Sequence, residues 1–177
     1  MYRRIMVPLD GSKLAECVLP HVTATARGCG TEEVILVSVT ERVPVRQTWR
    51  DTSVSLSQKM LDLSVGTSVP APDMPQDQPV FVGAVGRMYK QAQRYLDRIA
   101  KQLRKEGISV RTEVLLGRPA EEIVGYAANN EIDLIIIATH GRSGISRWVM
   151  GSVADRVIRS VCVPVLMVRA PGCVPGI

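Results

Sequence analysis

Aromatic and histidine side chains are scarce in this sequence. Its 177 residues hold one phenylalanine, two tryptophans, four tyrosines and two histidines. Such a supply argues against a stacking platform for single-stranded nucleic acid. Cysteine is sparse as well. Cys17, Cys29, Cys162 and Cys173 show no C-x-x-C spacing, and with two histidines they make no zinc pattern. They read as free thiols of a reducing compartment. Cys17 and Cys162 fall in apolar-periodic stretches expected to pack into a core, and Cys173 in a Pro/Gly tail expected at the surface. No apolar run approaches the roughly 18 residues that a spanning helix needs. The apolar run at Ile5 to Leu9 is too short for a signal-peptide core, and no A-x-A-like site follows it. The expected location is the cytosol.

Neither sign of charge dominates. Lys and Arg number 22 and Asp and Glu 17, a net +5. The basic residues lie scattered along the chain, so a phosphate-bearing small molecule is expected as partner and nucleic acid is not. Apolar residues make up 46% and charged residues 22%, ordinary globular usage. At this length one domain is expected, able to bury about 70% of its unfolded surface without disulfides or a structural metal.

Short apolar runs alternate with helical periods. Ile5 to Leu9 reads as a strand stopped by Asp10-Gly11-Ser12. From Ser12 to about Arg27, Leu14, Ala15, Val18, Leu19, Val22 and Ala26 recur at three- and four-residue steps, predicting a helix kinked at Pro20. Val34 to Val39 is a near-continuous β-branched run, as expected of a strand buried on both faces. Arg87 to Glu106 is helical, with Gly107 placed to end it. Val110 to Leu116 alternates and predicts an edge strand. Pro119 opens a helix. Ile132 to Ala138 is the most apolar strand and is expected at the centre. Ser152 to Arg159 is the last helix and Pro164 to Val168 the last strand.

This order predicts a three-layer α/β/α, doubly wound, Rossmann-like fold on a five-stranded parallel sheet. A single domain over residues 1–170 is expected, with a tail at 171–177. A long insertion, about 42–86, follows the second strand. It is rich in Pro and Ser, with one possible short helix at Leu56, Met60, Leu61 and Leu63. It leaves the sheet at a carboxyl end and reads as a lid or a dimer-facing arm.

In folds of this kind ligands bind beyond the carboxyl ends of the strands, where the strand order reverses. The standard phosphate motifs are missing: there is no G-x-x-x-x-G-K-[ST] and no G-x-S-x-G. Gly28-Cys29-Gly30 lacks the third glycine of the dinucleotide fingerprint. The segment from Ala138 through His140-Gly141-Arg142-Ser143-Gly144 to Gly151-Ser152 leads instead from a strand end to a helix start. Glycines permit close backbone approach, and unpaired amides at a helix start favour an anion. Arg142 and Arg147 add positive charge. Together these residues predict a phosphate cradle.

Here the sequence resembles the universal stress protein (UspA-like) family, whose nucleotide-binding members carry G-x2-G-x9-G-[ST] after the fourth strand. Gly141, nine residues, then Gly151-Ser152 match that spacing, and Ala138 stands at the first glycine. Val7-Pro8-Leu9-Asp10-Gly11-Ser12 resembles the family's first strand and turn, and Pro164 to Val168 its last strand. The resemblance implies ATP as ligand, with a divalent cation such as Mg2+ accompanying the phosphates. It implies Asp10 and the backbone at Pro8, Leu9 and Val39 around adenine and ribose. Gly141, Gly144, Gly151 and Ser152, with the amides of Val153 and Ala154, would hold the phosphates. It also implies a homodimer through Pro164 to Val168.

Plainer roles stand beside these. Ser152 and Asp155 form an S-x-x-D box, so Ser152 fits an N-cap. Asp10 fits a turn cap, and His140 a structural donor. Arg142 and Arg147 fit solvated charges, and Trp148-Val149-Met150 a docking face. No carboxylate pair, activated nucleophile or histidine dyad offers a general base. Regulation by binding is therefore expected, with at most slow ATP hydrolysis. The alternative is a dimeric interaction module of the same fold without nucleotide.

Overall fold

The computed structural model describes residues 1–40, 82–139 and 151–169, with residues 82–85 as backbone alone. Five strands make one parallel sheet: β1 (Arg4–Pro8), β2 (Glu33–Thr40), β3 (Val110–Leu116), β4 (Leu134–Ala138) and β5 (Val165–Val168). Their order is β3-β2-β1-β4-β5. The chain steps outward from β1 to β2 and β3, then returns to the other side of β1 for β4 and β5. The strand order thus reverses between β1 and β4.

Alternation along each strand divides the core. Ile5, Val7, Leu36, Leu134 and Ile136 face one way, with Val22, Leu96, Ile99 and Leu103 from the helices of that side. Met6, Ile35, Val37, Ile135 and Ile137 face the other, with Ala120, Ile123, Ala154 and Val157. The first layer holds α1 (Leu19–Cys29) and α2 (Val82–Lys105), and the second α3 (Pro119–Asn129) and α4 (Ser152–Ser160). The predicted α/β/α architecture is thus present. β3 is an edge, as its alternation predicts. β4 is interior, but β1 holds the centre.

The predicted first helix is not one kinked rod. A 3-10 turn, Ala15–Val18, comes first, and α1 then begins with Pro20 in its first turn. There the missing N–H has no intrahelical partner to lose, so the proline starts the helix. Gly30 closes α1 at φ 62°, in the left-handed region. Cys17 packs partly buried against the core. Cys162 is exposed, between α4 and β5, and not in the core as predicted. Cys173, the insertion to residue 81, the loop at 140–150 and the tail lie outside the described residues.

Helix α2 starts at Val82, five residues before its predicted start. Its 24 residues span about 36 Å, whereas the seven of β3 span about 23 Å. The surplus is the N-terminal part, where Arg87 through Gln91 are exposed. No acidic residue stands in the first turn of α2. Lys90, Arg94 and Arg98, and then Lys101 and Lys105, repeat like charge at four-residue steps. Each such pair costs about 0.2–0.5 kcal/mol. Among the described residues, no helix is long and apolar enough to cross a membrane.

Candidate nucleotide site

The turn after β1 is shaped by its own side chains. Asp10 Oδ1 accepts the Ser12 amide at 2.9 Å, and Ser12 Oγ accepts the Ala15 amide at 3.0 Å. Gly11 sits between them at φ 83° with open space around it. Backbone conformation, not crowding, calls for glycine there. The Leu9 amide donates to the Val37 carbonyl at 2.8 Å, tying this turn to β2.

On the far side of β1, the Gly151 amide donates to the Thr139 carbonyl at 2.7 Å, and the Asp155 amide to the Gly151 carbonyl at 2.9 Å. The second bond is the first i to i−4 bond of α4. It leaves the amides of Ser152, Val153 and Ala154 without intrahelical acceptors. Gly151 is the N-cap, at φ −54° and ψ 137°, and the helix has no side-chain cap. The predicted S-x-x-D box therefore does not form. Ser152 occupies the first helical position, one residue too late to cap. Gly151's own amide is engaged by Thr139, so the amides offered here are those of residues 152 to 154.

These two features border one cleft of about 640 Å³ at the carboxyl ends of the strands. Pro8, Leu9, Asp10, Val39, Gly151, Ser152, Val153 and Ala154, all expected from the sequence, line it together. Ala138 is not in the lining and packs partly buried against the core. His140, Gly141, Arg142 and Gly144 lie outside the described residues.

Sequence reasoning missed a whole wall of this cleft. Met88, Gln91, Ala92 and Tyr95 line it from α2, and Pro119 and Ile123 from α3. Met88, Ala92 and Tyr95 stand four and three residues apart in the sequence, the spacing of one helical face. That this face overhangs the sheet depends on relative element lengths, which periodicity does not give.

Tyr95 and Gln91 are the polar residues that α2 brings to that wall. The Tyr95 hydroxyl is buried, and among the described residues no group meets it at full hydrogen-bond geometry, Glu16 being the nearby carboxylate. The Arg98 guanidinium lies 5.3 Å from the Tyr95 ring centroid and holds Glu16 at 2.7 Å. Burial first, then the nearby carboxylates of Glu16 and Asp10, push the phenol well above its ordinary range. The unfolded chain loses this proton near pH 10, and the folded chain only at higher pH. Above about pH 10 the unfolded state holds fewer protons, so stability falls as pH rises. Burial raises Tyr126 too, which adds to the decline. Tyr95→Phe removes Tyr95's share. Its melting temperature should fall less steeply than the parent's between about pH 9 and pH 11. Parallel declines would contradict this reading of Tyr95.

The chain matches a family model described as the universal stress protein family over residues 1–169. It is 31% identical over 170 residues to the universal stress protein MJ0577 of Methanocaldococcus jannaschii, covering 96% of either chain. The solved structure of MJ0577 superposes with a TM-score of 0.71 at 27% identity, covering 97% of this chain and 99% of that one. A universal stress protein family member of Arabidopsis thaliana, solved with AMP bound, superposes at 0.57 with 12% identity, covering 96% of this chain and 92% of its own. A universal stress protein in complex with cAMP superposes at 0.56 with 17% identity, covering 94% of this chain and 96% of its own.

Proposed function

Because the chain belongs to the universal stress protein family, we propose that it is a cytosolic ATP-binding protein acting in stress response or signalling. It works by binding, with hydrolysis slow or absent. One observation carries this reading: a single cleft at the reversal of strand order joins Asp10 and the end of β2 to the start of α4. The Asp10 carboxylate suits ribose hydroxyls. The backbone of Val37 to Thr40 suits the edge of a base. The amides of Ser152, Val153 and Ala154 at a helix N-terminus suit phosphate oxygens. Relatives solved with AMP and with cAMP support an adenine nucleotide. Among the described residues, no three His, Cys, Asp or Glu cluster to hold a metal. Magnesium would then be carried chiefly by the phosphates themselves.

The proposal includes a homodimer through β5. This strand pairs with β4 on one side, and its Leu166 and Met167 are 38% and 42% exposed. A short apolar edge invites a second copy of itself, under a twofold axis. Light scattering should give about twice the 19.4 kDa chain mass, and Leu166→Glu should shift the protein towards monomer. A monomeric parent protein would contradict the dimer.

Nucleotide released from protein purified without added ligand should be an adenine nucleotide by mass spectrometry. A preparation free of nucleotide that also resists loading with ATP would favour the dimeric interaction module.

A further inference from the structure

Helix α2 carries seven Lys and Arg against one Asp, a net +6 over its length. The whole chain is +5. The rest of the molecule therefore has fifteen basic against sixteen acidic side chains, and α2 alone accounts for the protein's positive charge.

The cations are ordered. Arg87, Lys90, Arg94, Arg98, Lys101 and Lys105 follow at steps of three or four residues, which aligns them along one face. All six are exposed. Arg98 is held by Glu16 at 2.7 Å. The other five have no salt-bridge partner among the described residues. Leu96, Ile99, Ala100 and Leu103 bury the opposite face against the sheet. The cleft-lining residues of α2, Met88, Gln91, Ala92 and Tyr95, border the stripe on one side, with Arg98 against the Tyr95 ring, but none of the six cations lines the cleft. The stripe's like-charge repeats weaken the helix, and among the described residues Glu16, on Arg98, is the one acid paired with it.

We propose that this stripe is a docking surface for the phosphate backbone of double-stranded DNA. Its length, about 27 Å from Arg87 to Lys105, matches roughly eight base pairs at 3.4 Å each. A B-form major groove about 12 Å wide takes the outer half of a helix, whereas the deep, narrow groove of an RNA duplex does not. The stripe has no aromatic residue on which single-stranded bases would stack. Leu96, Ile99, Ala100 and Leu103 of α2 are buried, and its exposed large apolar residues among those described, Met88 and Tyr89, are confined to one turn, too small a face to insert into a bilayer. Exposed cation–carboxylate pairs contribute little each, so an acidic protein gains less than a polyphosphate, whose condensed counterions are released on binding.

The test is fluorescence anisotropy of the full-length protein with a labelled 20-base-pair duplex. Five cations predict a log–log salt slope of about −4 to −5, a loss of several hundredfold in affinity between 50 and 200 mM salt. Replacing three of them, Lys90→Gln, Arg94→Gln and Lys101→Gln, should bring the slope to about −2. The same charge removed elsewhere, as Arg3→Gln, Arg111→Gln and Arg159→Gln, should leave most of the binding. No duplex binding at 50 mM salt would overturn the proposal. Equal loss in the two triple variants would overturn it too, by reducing it to net charge. So would tighter binding to single strands of the same length, to an acidic peptide or to anionic vesicles. ATP binding is read separately on the same samples. None of the substituted residues lines the cleft, so the stripe and the nucleotide reading fail independently.

Discussion

Gly151→Val should weaken ATP binding by about a hundredfold or more, about 3 kcal/mol, in a protein that remains folded. Gly151 is in the wall of the cleft, next to the three amides offered to phosphate. A valine there places two methyl groups where an anion would sit. The backbone tolerates it, since φ −54° and ψ 137° are open to any L-residue. Its amide can keep its bond to Thr139. Loss of binding with an unchanged circular dichroism spectrum and melting temperature is the expected pair of results. Unchanged affinity in the folded variant would show that this loop end is structural. Ser152→Ala should be milder. Ser152 does not cap α4, so the variant should keep its stability and lose only the hydroxyl's contact with ligand.

The largest effect on stability belongs to the core. Ile35 is fully buried on β2, between Met6 of β1 and Arg111 of β3, and faces α3 and α4. Ile35→Ala removes buried methyl groups and leaves a cavity, a cost of about 3–4 kcal/mol. For a chain of this size that lowers the melting temperature by roughly 10 °C. Leu116→Ala, exposed at the end of edge strand β3, should cost about 0.5 kcal/mol or less. Similar shifts for both in thermal unfolding would contradict the division into core and edge described here.

Much of the fold was written locally. The β-branched run Val34 to Val39 needs no context to be a buried strand, and Pro119 after a glycine turn is a helix start wherever it occurs. The alternation of such elements leads to the parallel sheet, and the reversal of strand order then locates the site. What escaped depends on relations between elements. Pro20 was read as a kink because the sequence does not say that α1 begins at Leu19. Ser152 was read as a cap because the box pattern is blind to the one-residue offset at Gly151. Cys162 follows an apolar helical period, but β5 begins only at Val165, and on the connection Val161 and Val163 turn to the core while Cys162 between them is exposed. The cations of α2 alternate with apolar residues over nineteen positions, so they look scattered until the helix brings them onto one face.

Isothermal titration of the purified, nucleotide-free protein with ATP, with and without magnesium, tests the central claim most directly. The cleft predicts saturable, one-site binding with micromolar affinity, about −8 kcal/mol, that Gly151→Val weakens by about a hundredfold or more. No heat, together with no displacement of a fluorescent ATP analogue up to millimolar ATP, would contradict it.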